Sequence, residues 1–446
     1  MTKNTRITDP VATLRQAIHL QSTSVELDQR DACCHYIGEL LENHCEAKAE
    51  YVETGGAPSI LATIPGESTD TILYYGHYDV MDPGDVDDWD SDPFTLTLRN
   101  GRYYGRGAGD NKGQLLAVIN GLSQFVADHP NRKQTIQLLI EGEEEQGSIH
   151  LASTVAKLKE TGLANVKKVI VCDGSMNASG DHVLRLANRG LYGITLHIHT
   201  ADHANHSGNA GNVLANPVLV FQDVLNRLYD GQKVRLPHFY DGVLEPSKED
   251  LEAIVALPFD ADQAAEVFGG KLLTTDKVEY YTDLMFKPSF NVSGVESGYN
   301  GEGVKTIIPG ELSASLNMRL VGHQDPDVID QDVKAALKPW IESGVLSCEV
   351  TGNIPPSTTI ATAEEKQVFK LAAGKANIPL LVEPCMPGTV PNYVWSEILK
   401  AQTFTLPLAN FDQNNHSLNE NITQAAFDQG IALIAALADE FEGACL

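Results

Sequence analysis

TILYYGHYDV, residues 71–80, decides the fold. Its first half, TILYY, is a short apolar run rich in β-forming side chains, typical of a strand buried in a parallel sheet. It ends in polar residues, His77 and Asp79. The same grammar recurs twice. TIQLLIEGEEE (135–145) runs into Glu144 and Glu145, and KKVIVCDG (167–174) runs into Asp173. GQLLAVINGLSQFVADH (113–129) lies between the first two and places Leu115, Val118, Ile119, Leu122 and Phe125 on one helical face. Buried strands, intervening helices and polar strand ends predict an α/β fold with a mostly parallel sheet. In such sheets ligands bind in the crevice beyond the carboxyl ends of the strands.

Outward from this core, two helices are expected between Asp9 and Asn43, and SILATIPG (59–66) reads as another strand. From about Leu186 the texture changes. LYGITLHIHTA (191–201) and SASLNMRLVG (313–322) alternate as half-exposed strands do, and NPVLVFQDVLNRLYDG (216–231) and PDVIDQDVKAALKPWIESG (326–344) read as amphipathic helices. This predicts a second, α+β domain built on an antiparallel sheet. After about Pro356 the first pattern resumes through FKLAAGKA, TFTLPL and the helix ITQAAFDQGIALIAALADEF (422–441). The expected organisation is therefore a discontinuous catalytic domain, 1–187 and 353–446, with a domain inserted at 188–352.

Bulk properties fit that division. A chain of 446 residues exceeds one ordinary core. Hydrophobic content of 42% and charged content of 21% are those of a globular protein. The net charge of −28 gives no basic footprint for nucleic acid and disfavours anionic membranes. No apolar run reaches the ~20 residues of a membrane span, and the N-terminal stretch shows no signal-peptide core. Seven cysteines without regular spacing are no disulfide framework, so the cytoplasm is the expected compartment.

The chemistry lies in the polar strand ends. Asp110, set among the glycines of GRGAGDNKG (105–113), offers one carboxylate to closely approaching groups, and its two oxygens could bridge two cations. A phosphate loop is the alternative there, but the spacing fits neither GxGxxG nor GxxxxGK[ST]. EGEEEQGS packs Glu141, Glu143, Glu144 and Glu145 into five residues, which repel unless cations or protons relieve them. A solvated acidic turn is the plain alternative. Asp173 and His416 complete a possible ligand set, and His203 and His206 could be surface residues. Each signal is weak alone. Together, imidazole and carboxylate donors suit zinc or a neighbouring divalent metal, and two ions about 3.5–4 Å apart could share Asp110.

HYD (77–79), WDSDPF (89–94), GRGAGDNKG, EGEEEQGS, HSGNAG (206–211), the arginine of NMRLVGHQDP and HSLNEN (416–421) stand in an order that resembles the dizinc peptidases. That family includes carnosinase-like dipeptidases, carboxypeptidase G, acetylornithine deacetylase and succinyl-diaminopimelate desuccinylase. SGYNGEGVKTIIPGE and WDSDPF look closest to the carnosinase and cytosolic dipeptidase branch. The resemblance spans nearly the whole chain.

It implies that His77 and Asp173 hold one metal, Glu145 and His416 the other, and Asp110 both. Asp79 would orient His77, and Glu144 would be the general base; the extra acid Glu143 leaves a one-residue slip open. His206 would stabilise the oxyanion in a partner subunit's site, making the protein a homodimer. Arg319 would bind the substrate carboxylate, with Gly388 and Thr389 of PGTVP in a substrate loop. Pro387, Thr389 and Asn212 depart from the family pattern near substrate contacts. The implied cofactor is two divalent ions per chain, zinc first, with manganese or cobalt as alternatives. The implied reaction is hydrolysis of the amide bond of a small peptide with a free carboxylate. Deacylation of an N-acyl amino acid is the alternative, and a binding protein with a decayed site a more distant one.

Overall fold

The computed structural model describes residues 6–444. Cys445 and the first five residues of the N-terminal stretch discussed above lie outside it. Eight strands form the larger sheet, in the order Lys48–Val52, Ser59–Ile64, Thr135–Glu141, Thr71–His77, Val166–Val171, Gln402–Thr405, His182–Arg185 and Leu380–Glu383. Thr71–His77 lies parallel between Thr135–Glu141 and Val166–Val171, and every one of its residues is buried. Its alternation then supplies two cores. Ile72 and Tyr74 join the core under the helices Lys112–Asp128 and Gln424–Gly443, while Leu73 and Tyr75 pack with Leu151, Val155 and Trp395 on the other face. The strand stops at His77, earlier than the apolar reading of 71–80 suggests. Tyr78 still donates to the Glu141 carbonyl, but the Val80 amide turns away to Ser22.

Parallel register brings the strand ends together. His77 stands opposite Glu141, and Tyr75 opposite Val171, so Asp79, Glu144 and Asp173 all emerge on one edge of the sheet. The acidic strand ends therefore lie side by side.

The second sheet is antiparallel throughout, in the order Ser289–Ser297, Glu311–Leu320, Gly190–His199 and Leu346–Ile354. Glu311–Leu320 buries every second residue, and Leu312, Ala314, Leu316 and Met318 face the helices Pro217–Leu228 and Pro326–Glu342. Both helices begin on a side-chain cap followed by proline, Asn216–Pro217 and Asp325–Pro326. Three further helices, Lys248–Ala256, Ala261–Phe268 and Lys277–Phe286, were not anticipated from periodicity. The chain crosses between the two sheets twice. The crossings pair with each other, Asn188 with Ser357 and Ala187 with Thr358. Among the described residues no helix is long and apolar enough to cross a membrane.

Candidate metal centre

Asp110 sits at the centre of the crevice and turns one oxygen to each histidine. Its Oδ1 is 3.2 Å from His77 Nε2, and its Oδ2 is 3.2 Å from His416 Nε2. Asp173 Oδ2 approaches His77 Nε2 at 4.0 Å, and Glu145 Oε2 approaches His416 Nε2 at 3.0 Å. The donors thus fall into two overlapping groups, His77–Asp110–Asp173 and Asp110–Glu145–His416, each with its ligand atoms within 4.8 Å of one another.

Neighbouring side chains hold this arrangement. His77 Nδ1 lies 3.3 Å from Asp79 Oδ1, leaving Nε2 to face Asp110. Asp79 also accepts from the amides of Glu144 and Glu145, at 3.2 and 3.0 Å, and so fixes the turn that presents both. Within that turn neighbouring glutamates point in different directions. Glu143 points away, its Oε2 2.7 Å from His150 Nδ1. Glu144 Oε2 points in, 3.9 Å from His77 Nε2. The Asn111 side chain donates to Asp173 Oδ1 at 3.0 Å and accepts from the His77 amide at 3.3 Å. Asn415 donates to Asp110 Oδ2 at 3.2 Å.

Four carboxylates therefore converge on two histidines, and among the described residues no lysine or arginine pairs with any of the four. Burial, then the charges of Asp173, Asp110 and Glu145, push Glu144 up to about 9 against the pull of His77. Burial and then Asp110 push Glu145 up to about 8. The hydrogen bond that His416 donates to Asp110 leads in raising it to about 9. Burial would lower His77, but the carboxylates of Asp110 and Asp79 outweigh it and hold it well above its usual value. Such a cluster is short of positive charge, and divalent cations would supply it. Mixed imidazole and carboxylate donors suit zinc or manganese better than calcium, which takes oxygen.

A pH dependence follows. Near pH 7 the metal-free centre holds protons on Glu144, Glu145 and His416. Glu145 and His416, as ligands, would have to shed theirs, so metal binding should release protons, and affinity should rise with pH. Because these folded-state values are raised, their contribution to stability is complete at low pH and is lost as pH climbs through about 8 to 9. The melting temperature of metal-free protein should therefore fall from pH 6 to pH 9, while that of metal-loaded protein changes less. Calorimetric titration in buffers of different ionisation enthalpy reads the protons. No release at pH 7 would contradict the assignment.

The model of the peptidase family M20/M25/M40 matches residues 73–440, a span containing all of these side chains. The chain belongs to that family. It is 30% identical over 393 residues to the human Beta-Ala-His dipeptidase, covering 85% of this chain and 76% of that one. It is 27% identical over 400 residues to the Cys-Gly metallodipeptidase DUG1 of Saccharomyces cerevisiae, covering 85% and 81%. The crystal structure of the M20 family metallo-carboxypeptidase Sso-CP2 from Sulfolobus solfataricus superposes with a TM-score of 0.84 at 28% identity, covering 98% of this chain and 100% of that one.

In this M20 metallopeptidase the remaining residues singled out in the sequence fall into two places. Arg319 lies on the second sheet, and its Nη1 donates to Thr389 Oγ1 of the PGTVP loop. The Gly388 carbonyl accepts from the Arg189 amide at 3.2 Å, which seats that loop on the crossing between the sheets. His206 is exposed, on a short ribbon paired with Ile307. Its Nδ1 accepts from the Gly208 amide at 3.0 Å and its Nε2 lies 3.5 Å from Thr306 Oγ1; neither bond reaches the acidic cluster. Asn111, Asn415, Arg106 and Glu420 went unassigned in the sequence. The last lies inside the quoted HSLNEN, four residues past His416.

Proposed function

We propose that this M20 peptidase hydrolyses the amide bond of a dipeptide, or a similar small substrate with a free carboxylate, with the help of two divalent cations, zinc first. His77, Asp110 and Asp173 would hold one ion, and Asp110, Glu145 and His416 the other. The observation that carries the reading is that the two donor groups share a single carboxylate, with Glu144 beside them. Bound cations supply Lewis acidity, polarising a carbonyl and lowering the pKa of water towards ~7.

The chain's own groups do the rest. Asp79 keeps His77 oriented through Nδ1. Glu144, whose Oε2 stands 3.9 Å from His77 Nε2 beside both donor groups, takes the proton of the attacking water and returns it to the leaving nitrogen. Arg319, with Thr389 and Gly388, receives the substrate carboxylate. Two relatives are named for dipeptides, β-Ala-His and Cys-Gly. Metal-loaded protein assayed in parallel against dipeptides and N-acyl amino acids tests the reading. Turnover of the acyl amino acids alone would overturn it.

Arg319 offers a sharper test. A guanidinium suits bidentate recognition of a carboxylate. Arg319→Ala should lower kcat/KM for a free dipeptide by about 10- to 100-fold. It should barely affect the same peptide amidated at its C-terminus. Equal losses on both would remove Arg319 from recognition.

The reading extends to assembly. Residues 188–352 form an inserted lid, 1–187 and 353–446 the catalytic domain, and two chains pair so that His206 stabilises the oxyanion in the partner's site. The exposure of His206 and its lack of a bond to its own cluster support this. Mixing inactive His206→Ala with inactive Glu144→Gln chains should restore activity, since one site of a mixed dimer keeps both residues. No recovery despite demonstrated exchange would refute the shared site. A cytoplasmic location is in keeping with six described cysteines that are free thiols; cell fractionation checks it.

A further inference from the structure

Glu420 is fully buried, and its carboxylate accepts four hydrogen bonds beside the centre. Its Oε1 accepts from the amides of Gly109 and Asp110 at 2.9 and 2.8 Å. Its Oε2 accepts from Arg106 Nη1 at 2.7 Å and from the Gly107 amide at 3.0 Å. Arg106 is buried too, lies over the Trp89 ring and donates through Nη2 to the Asp82 carbonyl at 3.3 Å. One carboxylate thus gathers three amides of the turn that ends on Asp110, those of Gly107, Gly109 and Asp110 itself.

The turn itself depends on glycine at two positions. Gly107 has φ of +89°, a conformation side chains resist, and a Cβ on Gly109 would stand 2.0 Å from Gln413 Oε1. Glu420 also belongs to the segment that carries His416. Its own carbonyl accepts from the Gly105 amide at 3.0 Å, and the next residue's amide donates back to Gln413 at 2.8 Å. Asp110 and His416 are therefore tied to each other through Glu420, although neither touches it with its side chain.

A buried ion pair is a poor device for stability alone, because desolvation offsets most of the attraction. Four directed bonds from one side chain instead fix geometry. We infer that Glu420, neutralised by Arg106, is a positioning residue for the metal centre: it sets the Asp110 turn and locks it to the His416 loop. This rests on the reading of Asp110 and His416 as ligands.

The test measures zinc affinity by chelator competition, alongside thermal unfolding. Glu420→Gln replaces one accepting oxygen with an NH2 group, so it should raise the zinc Kd about 10- to 100-fold, as loss of an outer partner typically does. It also strands the Arg106 charge and should lower Tm. Arg106→Met combined with Glu420→Gln removes that charge and should recover Tm but not zinc affinity. Affinity unchanged within about twofold in folded Glu420→Gln, or recovery of both properties in the double variant, would overturn the inference.

Should neither variant fold, hydrogen exchange of metal-free wild type decides. The amides of Gly107, Gly109 and Asp110 should be protected like those within the helix Lys112–Asp128; exchange at open-loop rates would overturn the inference. The wild-type titration separates the two layers. A wild type that binds no zinc sinks the ligand assignment and this inference with it. A wild type that binds two ions beside a variant of unchanged affinity sinks this inference alone.

Discussion

Glu144→Gln is expected to keep its metal and lose about 10²- to 10⁴-fold in turnover, the usual contribution of a positioned general base. The amide is the same size as the carboxyl, so the turn held by Asp79 should survive. What disappears is the group proposed to accept and return the proton. Glu143→Gln supplies the contrast. Its carboxylate faces His150 on the far side of the turn, so that variant should stay within a few-fold of wild type and lose some stability from the buried pair. Steady-state kinetics with metal analysis on both proteins reads the result. A dead, metal-replete Glu143→Gln beside an active Glu144→Gln would show that the catalytic register is off by one.

Asp110→Ala should have the other large effect. Its two oxygens serve different histidines, and among the described residues it alone belongs to both donor groups. Removing it should weaken both ions together, by more than the about 10- to 100-fold typical of losing a residue that only supports a ligand. Glu145→Gln, by comparison, touches only the group containing His416. Elemental analysis after dialysis should find Asp110→Ala depleted of both ions, and Glu145→Gln of chiefly one. Full occupancy in Asp110→Ala would exclude a bridging role.

The parts of this account that were legible in the sequence are those written in apolar pattern. TILYY announced a buried parallel strand because a strand covered on both faces has no polar side to alternate with. Once three such strands lie in parallel register, the polar residues after them must meet, which is why His77, Asp79, Glu144, Glu145 and Asp173 could be placed in one crevice. What pattern could not settle was direction at single-residue resolution. In EGEEEQGS successive carboxylates leave a tight turn at different angles, Glu143 towards His150 and Glu144 towards His77, and no sequence pattern carries those angles. Glu420 was hidden for another reason. It is one of 60 acidic residues, and burial against backbone amides far away in the chain leaves no local signature. The helices at 248–286 escaped because they are short, 9, 8 and 10 residues, and bury little, Ile254 in the first, none in the second and Met285 in the third, so periodicity has little length in which to show. Their only signal was capping, Ser247 with Asp250, then Asp260 and Asp276.

The measurement that bears most directly on the whole account is a zinc titration of metal-free protein with dipeptide hydrolysis followed at each addition. Metal-free protein should be inactive, activity should appear as zinc is added, and it should reach its plateau at two ions per chain. Full hydrolysis without metal, or a plateau at a single ion, would contradict a centre built on a shared Asp110.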